Sequence, residues 1–273
     1  MKKSFLSASG ARLCFLEWGT GQPIVLLHGA AGNAVWWKPL AESLDGHRVI
    51  ALDMPGHGES DRLVDWDFEK TAGVVFEAIS AHIPEPVILG GHSWGGKIAA
   101  IIAAHHTDYV AALLLIDPSP SRPLPIASDV FVDATFTPEL GPWPSREAAI
   151  AGVKHLPQYG NWTADLDAAF LRGLIDGDDG CVEARCSRDD LIALSRAGLN
   201  VDHSATISRV SCPTLLVVAD QSIPWQQPTN FQDLPHAEKV VIEGHHWIHI
   251  DKPAEVTSAV TRWLEDAGEA NVK

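Results

Sequence analysis

Short runs of continuous apolar, mostly β-branched residues alternate with helical patterns along the first half of this chain, and that alternation restricts the fold more than any other feature. Ile24-Val25-Leu26-Leu27, Arg48 to Leu52, Val87-Ile88-Leu89 and Ala111 to Ile116 read as strands without a polar face. Between them, Val35 to Leu44, Asp67 to His82 and Lys97 to His105 carry helical periodicity. Strands that are apolar on both sides need cover on both sides. The pattern therefore predicts an α/β fold, a mostly parallel sheet covered by helices on both faces. It resumes at Pro213 to Val218 and Lys239 to Ile242, and Pro253 to Leu264 supplies a terminal helix.

The alternation breaks after Asp117. Pro118, Pro120, Pro123 and Pro125 open a stretch that also holds Trp143, Tyr159 and Trp162, with helical segments around Ala164 to Ile175 and Arg188 to Ala197. Residues 119–207 thus read as a helical lid inserted before the penultimate strands of a core made of residues 1–118 and 208–273. An insertion there overlies the carboxyl ends of the strands, where open α/β sheets place their ligands. The run Asp176-Gly177-Asp178-Asp179-Gly180 lacks the full calcium-loop pattern and reads as a solvated turn.

Composition narrows the partners. Twenty Lys+Arg against 35 Asp+Glu give a net charge of −15, which opposes binding to nucleic acid or to an anionic membrane surface. Met1-Lys2-Lys3 imitates the start of a signal peptide, but Ser7, Ser9, Gly10 and Arg12 interrupt it, and no run approaches the length of a membrane span. Cys14, Cys181, Cys186 and Cys212 match no zinc or redox spacing and read as free thiols of a cytoplasmic protein. The 13 histidines show no metal-binding spacing, so neither metal nor cofactor is expected. The expected partner is a small-molecule substrate, with homodimerisation left open.

Gly91-His92-Ser93-Trp94-Gly95 follows one predicted strand and opens a predicted helix. A serine held on so sharp a turn needs very small residues two places before and two places after it, and Gly91 and Gly95 meet that demand. The helix behind it aims backbone donors and positive partial charge at any developing oxyanion.

Together with three further segments, this motif resembles the α/β-hydrolase family over nearly the whole chain. His28-Gly29-Ala30-Ala31-Gly32 is similar to the family's oxyanion loop, and Asp53 to Ser60 to a second characteristic loop. Gly244 to Pro253 is similar to the segment carrying the catalytic histidine. The resemblance implies Ser93 as nucleophile, with the backbone N–H groups of Trp94 and Ala30 as the oxyanion hole. His28 and His57 are expected to brace their loops. Counting back from the Asp251-Lys252-Pro253 end selects His246 as the base, with His249 packed beneath the loop.

The acid departs from the family's usual arrangement. Its ordinary position, after the strand at Leu216 to Ala219, holds Ser222, and Asp220 stands nearby. Asp117, at the end of the strand Ala111 to Ile116, matches the alternative site used by some haloalkane dehalogenases and by acetamidomethylene-succinate hydrolase. Asp117 is the expected acid and Asp220 the competing choice.

Ten tryptophans are many for this length. Trp36, Trp143 and Trp162 are candidates for an aromatic substrate pocket, as is Trp94, with Trp225 near the late catalytic loops; Trp37 and Trp247 read as packing. No arginine is placed by motif near Ser93, although Arg122, Arg146, Arg172 and Arg185 of the lid offer partners for an anion. The expected activity is hydrolysis of a small carboxylic ester or lactone by an acyl-enzyme route. Amide or C–C bond hydrolysis, or a lyase reaction, would use the same fold, and a non-catalytic ligand receptor is the reading furthest from it.

Overall fold

The computed structural model describes residues 1–270 except 125, 157–158, 160–161, 223–233 and 235–236. Its main sheet has eight strands. They are β1 (Lys2–Ala8), β2 (Ala11–Gly19), β3 (Gln22–Leu27), β4 (His47–Leu52), β5 (Val87–His92), β6 (Val110–Ile116), β9 (Thr214–Gln221) and β10 (Ala237–His245), in the order β1-β2-β4-β3-β5-β6-β9-β10. The pairings from β4 through β10 are parallel, while β1–β2 and β2–β4 are antiparallel.

The hairpin β1–β2 was not read from the sequence. Its strands meet at Ser9 and Gly10, both at positive φ (48° and 83°), which is the backbone a two-residue hairpin turn demands.

Helices cover both faces. On one side lie α2 (Phe68–His82) and α3 (Ser93–His105), whose Val75, Ile79, Ile98 and Ile102 pack on Val25, Leu27, Leu89 and Leu113 of the sheet. On the other side lie α1 (Lys38–Ser43), entered through a 3-10 turn at Ala34–Trp37, and α10 (Pro253–Ala270). There Leu40, Val256, Val260 and Trp263 pack on Leu26, Leu114 and Val217. Each such side chain, fully buried, contributes roughly 1.5–3 kcal/mol of transfer free energy. Among the described residues no helix is long and apolar enough to cross a membrane.

The chain between β6 and β9, which are neighbours in the sheet, holds α4 (Ser128–Leu140), α5 (Arg146–Val153), α6 (Ala164–Arg172), α7 (Arg188–Leu199) and the short α8 (Ser204–Ile207). A two-stranded ribbon, β7 (Leu174–Asp176) with β8 (Val182–Ala184), lies among them. The acidic run 176–180 is the turn of that ribbon, closed by Gly177 N donating to Cys181 O at 2.8 Å, with Gly180 at φ 80°. The short α9 (Ile248–Asp251) precedes α10. All four cysteines are free.

Candidate active site

The turn from β5 into α3 explains its glycines directly. A Cβ on Gly91 would run into the backbone of Gly95, and one on Gly95 into the carbonyls of Leu27 and His28. The packing leaves Ser93 at φ 52°, a left-handed conformation that costs a non-glycine residue about 1–3 kcal/mol and is held only by its surroundings. Asp117, at the end of β6, is left-handed too, at φ 40°, with its own N–H held by Val217 O at 2.7 Å.

These two strained residues converge on one imidazole. His246 Nδ1 lies 2.6 Å from Asp117 Oδ2, and His246 Nε2 lies 3.0 Å from Ser93 Oγ. A carboxylate only accepts, so Nδ1 donates to Asp117 and the neutral ring offers Nε2 to the serine hydroxyl. Asp117 also accepts from Ala219 N at 3.2 Å and from Ser222 Oγ at 2.5 Å. The serine at the family's usual acid position thus donates to the carboxylate of Asp117. Asp220 is exposed and accepts from Gly244 N at 2.9 Å. His246 itself is tied down from below, where His92 Nε2 donates to its carbonyl at 2.9 Å.

The other histidines brace. His28 Nδ1 donates to Gly29 O at 2.7 Å and its Nε2 accepts from Met54 N at 2.9 Å. His57 Nδ1 donates to Pro55 O at 2.9 Å, and its Nε2 accepts from Ala31 N at 3.2 Å. Burial pushes His28 and His92 well below the ordinary imidazole range, His57 down to about 4 and His249 to about 3. His245 faces Asp251, with Nδ1 3.0 Å from Oδ2. His249 packs between the rings of Trp37 and His92 at 4.6 and 4.4 Å between centroids.

Ser93 and His246 open into a cavity of about 380 Å³, which Ala30 and Trp94 also line. The remaining wall among the described residues is Phe68, Phe131, Phe136, Leu194 and Leu199, with Gly198, Ser195 and Ser119, and no described lysine or arginine lines it. Ser119 Oγ stands 3.5 Å from Ser93 Oγ.

Trp36, Trp143 and Trp162 lie elsewhere, in a separate aromatic cluster with Tyr159, Phe170 and Trp247. Trp36 stacks on Tyr159 at 5.7 Å, and Trp162 donates its indole N–H to Asp167 at 2.7 Å. Trp225 lies outside the described residues. Two of the arginines between β6 and β9 are taken up in ion pairs. Arg146 meets Asp176 at 2.5 Å, and Arg172 meets Asp53 at 2.5 Å and Glu59 at 2.6 Å. Arg185 borders a neighbouring cavity of about 400 Å³ beyond His57.

The alpha/beta hydrolase fold family matches residues 22–253. The chain belongs to the α/β-hydrolase family. A pimeloyl-acyl-carrier protein methyl ester esterase of Vibrio cholerae is 38% identical to this α/β hydrolase over 103 residues, 37% of the chain and 39% of that relative. The chain thus matches about two fifths of that relative's length. An (E)-2-((N-methylformamido)methylene)succinate hydrolase of Acinetobacter baylyi is 25% identical over 267 residues, 92% of this chain and 93% of the relative. The solved structure of E-2-(acetamidomethylene)succinate hydrolase superposes with a TM-score of 0.85 at 21% identity, covering 97% of this chain and 99% of that one. That likeness is one of fold.

Proposed function

We propose that this α/β hydrolase cleaves a small carboxylic ester or lactone through an acyl-enzyme, with Ser93 as nucleophile, His246 as base and Asp117 as acid. The observation that carries the reading is the unbroken hydrogen-bonded run Ser93–His246–Asp117 at the mouth of an apolar cavity. In the forward step Nε2 takes the proton from Ser93 Oγ as the oxygen attacks the substrate carbonyl. Asp117 then stabilises the imidazolium and holds it in register. The N–H groups of Ala30 and Trp94 receive the developing oxyanion, where each donor is worth about 10²–10³ in rate. Nε2 next returns the proton to the leaving oxygen. Water activated by the same imidazole releases the acid and restores Ser93.

The wall supports an apolar acyl group. A dicarboxylate would need a cation beside the reacting carbonyl, and the described lining has none. Residues 119–207 serve in this reading as a cap, since Phe131, Phe136, Leu194 and Leu199 all come from them. Amide hydrolysis is the second reading, supported by the near-full-length likeness to the Acinetobacter baylyi hydrolase. Turnover of p-nitrophenyl esters of graded acyl length, simple lactones and the matching anilides separates the two. Ser93→Ala is expected to remove esterase turnover by roughly 10⁴–10⁶ and to abolish fluorophosphonate labelling. Comparable turnover in that variant would overturn the assignment.

A further inference from the structure

One charged side chain in the core takes no part in the chemistry proposed above. Lys97 stands one turn along α3 from Ser93 and is fully buried. Its ammonium donates to Gly198 O in the last turn of α7 at 2.6 Å and sits 5.6 Å from the centroid of the Phe68 ring. Burial lowers its pKa from 10.5 to about 7, against the pull of Asp202. A buried ammonium is costly unless paired, and a carbonyl at a helix C-terminus is one of the few neutral partners that suits it, because the last carbonyls lack intrahelical donors and the helix dipole is negative there.

The two groups that Lys97 touches, Phe68 and Gly198, both line the Ser93 cavity. Gly198 has no room for a side chain, because a Cβ there would penetrate the Phe68 ring. α7 is therefore pressed against Phe68 and tied to the helix that carries Ser93.

We infer that Lys97 is a positioning residue that holds the α7 wall of the cavity at a fixed distance from Ser93 and so sets the length of acyl chain the enzyme accepts. The inference rests on the ester reading above and deepens it. Without the tie, Leu194, Gly198 and Leu199 can withdraw and the cavity admits longer chains.

The test measures kcat and KM for p-nitrophenyl acetate, butyrate, hexanoate and octanoate with the wild-type protein and Lys97→Met. Replacing a buried charge with an apolar residue of similar length is commonly tolerated, so Lys97→Met is expected to fold. In Lys97→Met the octanoate-to-butyrate ratio of kcat/KM should rise about tenfold, carried by KM. An equal change across all esters, or an unchanged ratio, overturns the inference. If the wild-type protein turns over no ester, the ester reading fails, and amide hydrogen exchange decides the tie separately. Residues 188–199 should then exchange faster in Lys97→Met while α2 stays protected, and unchanged protection of α7 overturns it.

Discussion

Ser222 Oγ donates to Asp117 Oδ2, the same oxygen that meets His246 Nδ1. Two residues from different strand ends therefore act on one carboxylate oxygen, and the hydroxyl at the family's usual acid position supports the carboxylate proposed as the acid. Asp117→Asn is expected to lower kcat by roughly 10⁴, by turning the imidazole to the wrong tautomer. Ser222→Ala removes one hydrogen bond to a charged group and should cost about tenfold. Asp220→Asn should change kcat only a few-fold, because its carboxylate serves Gly244 N. Steady-state kinetics on one ester ranks the three, and a larger loss in Asp220→Asn than in Asp117→Asn would refute the choice of acid.

Arg172 of the insertion reaches a carboxylate with no exposure at all, that of Asp53, which also accepts from Ala34 N at 2.8 Å and Glu59 N at 2.9 Å. Arg172→Met leaves that charge buried and unpaired. The expected loss is about 3–5 kcal/mol, read as a lower urea midpoint. A change below about 1 kcal/mol, the range of a surface pair, would show that the pair does not fasten the insertion to the core.

Acid should unfold the protein through its histidines. His28, His57, His92 and His249 have pKa values lowered by burial, so the folded protein keeps them neutral where the unfolded chain protonates near the usual 6.5. Their contribution is complete above pH 6.5 and is lost progressively as pH falls toward 4. His57 alone, shifted to about 4, represents on the order of 3 kcal/mol. Melting temperature measured from pH 7 to pH 4 should drop steeply. His249 has no hydrogen-bond partner for either ring nitrogen among the described residues, so His249→Phe should keep the packing and flatten that slope. A slope equal to the wild type would count against the histidine explanation.

The sheet was legible because β3 through β6 and the early part of β9 are continuous apolar runs, a signal that survives without tertiary context. The β1–β2 hairpin was missed because β1 alternates exposed and half-buried residues and carries Lys2, Lys3, Ser4 and Ser7. In the insertion, α4 follows directly on a proline-rich stretch, and β7 and β8 are three residues each, too short for a period to show. Ser93, Asp117 and His246 could be named because backbone demands and loop register tie them to local motifs. The cavity wall could not. Phe68, Phe131 and Leu194 meet only through the packing of α2, α4 and α7, whereas the conspicuous Trp36, Trp143 and Trp162 gather in a cluster of their own. Lys97 left a signal that went unused, a lone cation inside an otherwise apolar helix.

Asp117 directly follows β6, where the chain departs into residues 118–213 before it returns as β9 immediately alongside. The carboxylate proposed to serve His246 therefore grows from the root of the very segment that shapes the cavity. A relative whose acid follows a later strand can exchange its insertion without disturbing that group. Here any graft of a foreign insertion must join downstream of Ser119, whose N–H clasps Ser93 O at 2.9 Å, or it displaces the proton-handling machinery along with the wall it means to redesign.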